Sequence, residues 1–275
     1  MQLHPDDEYK CLVETVLQNG SLRKTRNGDV ISLFAPPSLR FKVSHDAFPV
    51  LTTKFVHFTS VKEELLWFLK GSTNAKELSQ RGVKIWDANA AENGELGPVY
   101  GHQWRHFGQD LDKGVEGIDQ IQLLIDGLKR DPFGRRHIVS AWNPLDTEKM
   151  ALPPCHILSQ WYVRSDGTTL DCQLYQRSGD IGLGVPFNIS SYSLLMCMVA
   201  QVCGYTPGTL THILGDAHIY VDHIGALKEQ LGRHPKPLPH LTLSKKTNNI
   251  FEFESKDIDL CEYQYHPKLP MEMKA

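Results

Sequence analysis

The chain of 275 residues has no charge surplus. Its 29 Lys+Arg stand against 32 Asp+Glu, a formal net charge of -3. That excludes a global basic field for nucleic acid, so any anionic ligand needs a local cluster of arginines. No apolar run approaches ~20 residues, so no membrane-crossing helix is expected. The opening MQLHPDDEYK has neither a basic n-region nor an apolar h-region, so no signal peptide is expected. Cysteine is scattered (11, 155, 172, 197, 203, 261), with no CxxC pair and no HExxH. Reduced thiols are expected, rather than a disulfide framework or a metal site. Repeats, low-complexity tracts and Pro/Gly/Ser linkers are absent, so a single domain over 1–275 is the simpler organisation.

What is present suits a globular enzyme-sized core: 41% apolar and 22% charged residues. HPDDEYKCLVETVLQNG predicts a helix with an acidic first turn, stopped at Gly20. Asn27-Gly28 is a turn signal between β-rich segments. Further helices are expected over 59–70, 119–129, 188–202 and 222–231, with Gly71 and Gly204 as stops. Strands are expected over 137–142, 158–163, 170–175 and 213–221. Helices and strands mix without strict βαβ alternation, which points to an α+β fold.

ALPPCHILSQW (151–161) poses the first chemical question, because Cys155 reads equally as a buried thiol or a nucleophile. Its neighbour His156 adds little, since adjacent strand residues point to opposite faces. A papain-like dyad is unsupported. Arg130, Arg135 and Arg136 surround one turn, Arg177 precedes Ser178, and Arg23 and Arg26 lie near the N-terminus. Guanidinium forks with a hydroxyl beside them suit phosphate oxygens, while a solvated turn is the plainer alternative. In SVKEELLWFL the apolar stripe of Val61, Leu65, Phe68 and Leu69 leaves Glu63 pointing away and Glu64 on its border. A half-buried Glu64 would have a raised pKa and could shuttle protons; a surface carboxylate flanking the core is the alternative. Asp216, His218 and Tyr220 share one strand face. Asn188 reads either as a helix N-cap or as an amide matched to a pyrimidine edge.

Long, ordered motifs then carry a resemblance. MALPPCH, CQLYQRSGDIGLGVPFNISSYSLL, LGDAHIYVDHI, ELLWFLKGSTN, IWDANAAENGELGPVYGHQWRHF and DPFGRRHIVSAWNP resemble the thymidylate synthase family over nearly the whole chain. The resemblance implies a large mixed β-sheet layered with helices, and a sheet-to-sheet homodimer. It implies conversion of dUMP to dTMP with 5,10-methylenetetrahydrofolate as carbon and hydride donor, giving dihydrofolate without a metal. A dUMP or dCMP hydroxymethylase on the same scaffold is the alternative reaction.

The same resemblance implies the roles. Cys155 would add to uracil C6, Glu64 would organise water and proton transfers, and Tyr100 would assist loss of the C5 proton. Asn188 would read the pyrimidine, and His218 and Tyr220 would hold the deoxyribose hydroxyl. Arg26, Arg177 and Ser178 would hold the phosphate, joined by Arg135 and Arg136 from the other subunit. These arginines are also expected to favour the Cys155 thiolate. Asp180 would touch the pterin as well as serve the dUMP site. Lys54, His57, Ile85, Trp86, Leu152, Gly184, Phe187 and Ala275 complete the implied folate site, Lys54 toward the glutamate tail. RNA binding is implied at most as a secondary activity, and no membrane association is expected. Cytoplasm is the expected location, with nuclear entry left open. The chain departs from the family pattern in TRNGDVISLF, one residue short, in Phe55 where arginine is usual, and in the Lys274-Ala275 tail.

Overall fold

The computed structural model describes residues 3–274. Helix α1 (Pro5–Asn19) starts with proline at a position that needs no N–H donor, and the His4 ring accepts from the Asp6 amide. Its acidic first turn does more than oppose the helix dipole. Asp6 is fully buried and accepts hydrogen bonds from the Thr52 amide (2.9 Å) and hydroxyl (2.8 Å) and from the Thr53 amide (2.8 Å). Burial alone would raise its pKa, yet the adjacent His4 ring and hydrogen bonds from Thr53 and Thr52 hold it below the usual carboxylate value. This clamp sets the chain immediately before Lys54.

The strands are β1 (Ser21–Thr25), β2 (Gly28–Phe34), β3 (Leu39–Lys42), β4 (Ile138–Ser140), β5 (His156–Val163), β6 (Thr169–Asp180), β7 (Thr206–Tyr220), β8 (His240–Leu243) and β9 (Ile258–Cys261). Among the described residues the first seven form one sheet, ordered β1-β2-β7-β6-β5-β4, with β3 also on β7; β8 and β9 form a separate pair. Every pairing in the large sheet is antiparallel except β6 with β7. That parallel pair needs a crossover, and the long helix provides it. The sheet is therefore mixed and the fold α+β, as expected.

The helices are α2 (Phe58–Leu69), α3 (Ala75–Ser79), α4 (Tyr100–His106), α5 (Gln120–Arg130), α6 (Gly184–Cys203) and α7 (Ile224–Leu231). Helix α6 is apolar on nearly all sides. It is long and apolar enough to cross a membrane by composition, which corrects the expectation that no such run exists. Its side chains are instead buried between the sheet and α2, and Gly204 closes it at φ 79°. Each fully buried Leu or Met there contributes roughly 1.5–3 kcal/mol.

Alternation along β6 turns Leu170, Cys172, Leu174 and Gln176 inward, toward α6. The opposite face carries Gln160, Tyr162, Gln173, Tyr175, Thr211 and Ile213, brought side by side by the register and partly exposed. Several element boundaries differ from expectation, and β6 runs on to Asp180 rather than ending at 175. β7 begins at Thr206 rather than 213, because Thr209 and Thr211 alternate with buried Leu210 and His212. β4 is shorter than 137–142. α6 begins at Gly184, so Asn188 lies inside the helix and is not its N-cap; Leu183 holds that place without a side-chain bond.

Candidate active site

One cavity of about 770 Å³ gathers most of the chemistry-bearing residues. Its walls include Arg26, Lys54, His57, Glu64, Ile85, Trp86, Tyr100, Leu152, Cys155, Arg177, Ser178, Asp180, Gly184, Phe187, Asn188, His218 and Tyr220. These residues are spread over nearly 200 positions, and separate segments of the fold deliver them. The Asp6-clamped segment and α2 bring Lys54, His57 and Glu64. The start of α4 brings Tyr100, and the entry to β5 brings Cys155. The β6–α6 junction supplies Arg177 to Asn188 and the end of β7 His218 and Tyr220, while the first hairpin brings Arg26 and loops bring Ile85, Trp86 and Leu152.

Cys155 is fixed through its backbone. Its amide donates to the Tyr100 hydroxyl (2.7 Å), and its carbonyl accepts from the Arg177 amide (2.8 Å). The Arg177 guanidinium is itself tied down, Nε to the Pro154 carbonyl (2.9 Å) and Nη2 to the Pro153 carbonyl (2.8 Å). The two prolines that precede the nucleophile candidate thus orient the cation beside it. The expected thiolate stabilisation is only partial. Burial raises the Cys155 pKa, and the opposing Arg177 charge does not overcome it. The protonated thiol is the favoured form in this cavity.

Glu64 is buried, not a surface carboxylate. It accepts from Trp86 Nε1 at 2.8 Å, and burial pushes its pKa up to about 7, with the indole N–H opposing. Glu63, expected to point away from the core, is also buried and pairs with Arg81 at 2.9 Å. Asp216 organises the far end of β7. It accepts from Ser32 Oγ (2.9 Å) and Arg23 Nη1 (2.7 Å) and meets His218 Nδ1 at 3.2 Å. A carboxylate on Nδ1 leaves Nε2 of His218 for a ligand, and Tyr220 packs edge-on at 5.5 Å. The Asn188 carboxamide makes no protein hydrogen bond among the described residues, although it borders the cavity. That leaves its donor and acceptor for a ligand.

The remaining wall is apolar: Ile85, Trp86, Leu152, Phe187 and Leu269. One end therefore suits a flat, mostly apolar ligand and the other an anionic, hydroxylated one. Lys54 is 5% exposed and donates to the Gly182 carbonyl; burial lowers its pKa to about 8 against the pull of Asp180. It sits inside the cavity wall. Phe55 packs on Tyr265 (4.7 Å), so an aromatic shelf stands where the family pattern has a cation. The shortened N-terminal loop is a two-residue hairpin turn whose Arg26 still reaches the cavity.

Two expected residues, Arg135 and Arg136, do not line the cavity. Arg135 and Arg136 are exposed on the loop before β4, Arg136 with its side chain 92% accessible. Ala275 lies outside the described residues. Lys274, in contrast, is anchored: Nζ pairs with Asp222 (2.7 Å) and Glu272 (2.9 Å), which raise its pKa. The His223 ring meets the Glu272 carbonyl at 2.9 Å, so this segment is strapped along the mouth. Sequence reasoning missed His156, Gln176 and Asn89 on the wall. His156 was set aside on strand alternation, but it precedes a β-bulge between His156 and Leu158, where simple alternation fails.

Comparison with known proteins places this arrangement. The profile of the family described as thymidylate synthase matches residues 7–275. Thymidylate synthase of Saccharomyces cerevisiae is 48% identical, covering 98% of this chain and 97% of that protein. Thymidylate synthase of Homo sapiens is 49% identical, covering 98% and 91%. A putative bifunctional dihydrofolate reductase-thymidylate synthase of Oryza sativa is 47% identical over 98% of this chain, which spans 58% of that longer protein.

Proposed function

The chain belongs to the thymidylate synthase family, and from that premise we propose how its cavity divides the work of converting dUMP to dTMP. It is a methyltransferase of this type, with 5,10-methylenetetrahydrofolate as co-substrate. The observation that carries the assignment of roles is the convergence of Cys155, Arg177, Asn188, His218, Tyr220 and Glu64 on one cavity.

Cys155 Sγ adds to C6 of the pyrimidine, and the electron pair passes through C5 to the adjacent carbonyl oxygen. Because burial favours the thiol, its proton has to pass to water in the cavity as the S–C6 bond forms. Arg177 is the cation at hand to stabilise the emerging charge. Asn188 pairs its carboxamide with the N–H and carbonyl of uracil, a polarity that disfavours cytosine. His218 and Tyr220 hold the deoxyribose hydroxyl. Arg26, Arg177 and Ser178 hold the phosphate, and Asp180 lies between the two ligand ends. Glu64 can exchange protons near neutrality, and the Tyr100 hydroxyl accepts from the nucleophile's backbone amide. The folate supplies the one-carbon unit and the hydride. Its site fits the residues present: His57, Ile85, Trp86, Leu152, Gly184 and Phe187 border the apolar end, where an aromatic ring system can stack.

We also propose that the partly exposed sheet face of Tyr162, Gln173 and Tyr175 is the homodimer interface. A two-fold pairing there would make the exposed Arg135 and Arg136 available to the partner's phosphate site. The test is a spectrophotometric assay with dUMP and methylenetetrahydrofolate, with the nucleotide identified by mass. Dihydrofolate and dTMP in equal amounts are expected. Hydroxymethyl-dUMP without dihydrofolate would instead move the reaction to hydroxymethylation.

A further inference from the structure

Behind the nucleophile lies a buried aromatic stack in which His156 is the central ring. It stacks on Tyr100 (centroids 4.1 Å apart, 18° between planes) and meets Tyr192 edge-on at 5.4 Å. His156 Nδ1 lies 2.9 Å from the Tyr192 hydroxyl. Phe68 packs on another side at 6.1 Å, and His212 is the nearby titratable group. Tyr192 is 3% exposed, and among the described residues His156 Nδ1 is the sole hydrogen-bond partner of its hydroxyl.

Hydrogen-bond satisfaction then assigns the protons. A buried hydroxyl has one hydrogen, and leaving it unpaired costs roughly 1–3 kcal/mol. Burial keeps Tyr192 protonated by raising its pKa far above 10. Its O–H therefore donates to Nδ1, which must be an acceptor. His156 is neutral, since burial lowers its pKa to about 3, so its one ring hydrogen sits on Nε2. Nε2 has no protein partner among the described residues, and the ring borders the cavity.

We infer that Tyr192 is a positioning residue: its hydroxyl locks His156 in the Nε2–H tautomer, so that a neutral N–H donor faces the cavity toward a carbonyl of the bound pyrimidine. This rests on the proposed function, in which negative charge develops on that carbonyl as Cys155 adds. A preoriented neutral donor stabilises such charge without giving up its proton.

The test is long-range ¹H–¹⁵N correlation on histidine-labelled protein, with the His156 signals assigned by their loss in His156→Gln. Wild-type protein should show the hydrogen on Nε2. In Tyr192→Phe the lock is gone, and the Nδ1–H form should become populated. With dUMP and the folate, Tyr192→Phe should lose about three- to tenfold in kcat, the share of one neutral hydrogen bond, with KM for dUMP within about twofold. Nδ1–H in the wild type overturns the inference outright, whether or not the variant folds. So does a Tyr192→Phe variant with unchanged tautomer, or one with shifted tautomer and unchanged kcat. Absence of dTMP from the wild-type enzyme would strike the proposed function while leaving the tautomer measurement standing.

Discussion

Replacing Glu64 by glutamine should make the protein relatively more stable as pH rises while crippling its activity. Glu64 is 6% exposed and takes one hydrogen bond, from Trp86 Nε1. Burial lifts its pKa from 4.5 to about 7. Between those values the folded chain holds a proton that the unfolded chain has released. Unfolding there releases a proton, so this contribution is complete below pH 4.5, declines as pH rises, and is gone above about 7. The difference, 7 − 4.5, is about 2.5 pH units at 1.36 kcal/mol each, or about 3 kcal/mol. Glutamine keeps an acceptor for Trp86 and has no charge to bury. Urea melts of both proteins from pH 4.5 to 9 should show the difference growing in the variant's favour by about that amount. His156 and His212, held neutral by burial, lose stability as pH falls below 6.5, but they do so in both proteins and cancel. In the same variant kcat should fall by about 10²–10⁴-fold if the carboxyl moves protons in the reaction. A stability difference that stays flat between pH 5 and 8 would refute the reasoning, because Glu64 would then titrate alike folded and unfolded.

Four further outcomes are expected. Cys155→Ser should abolish dTMP formation while calorimetry still detects dUMP binding; retained turnover would remove Cys155 from its role. Asn188→Asp should shift preference from dUMP toward dCMP, since a protonated carboxyl can serve the cytosine edge; competition binding of the two nucleotides reads this directly. Cys155→Ser chains refolded together with Arg135→Ala/Arg136→Ala chains should recover up to about a quarter of wild-type activity, one intact site in half of the dimers. No recovery from such a mixture would argue that each chain uses its own arginines. Lys274→Glu would set a like charge against Asp222 and Glu272 and should raise KM for the folate by about two- to fivefold, within the range of an exposed ion pair.

The local elements and the reactive inventory were legible because they rest on short-range chemistry. Pro5 with its acidic turn starts α1, the Asn27-Gly28 signal marks the first hairpin, whose turn is Arg26-Asn27, and Gly204 ends α6, each through conformational preferences of a few neighbouring residues. The ordered motifs named the family for the same reason: they can be read without knowing what touches what. Only the tertiary structure decided the state of each group. The helical stripe sets Glu63 outside and Glu64 on its border, yet both are buried, Glu64 against an indole and Glu63 against Arg81. Cys155 was expected to gain thiolate character from several arginines, but one nearby guanidinium is outweighed by desolvation. Asn188 looked like a helix cap until α6 was seen to begin four residues earlier, leaving its amide for a ligand. His156 was hidden by strand alternation and revealed by a bulge and a buried tyrosine 36 residues away. Residue types and spacings specify which groups are available; burial and long-range hydrogen bonds, which depend on the packing of distant segments, set their protonation and direction.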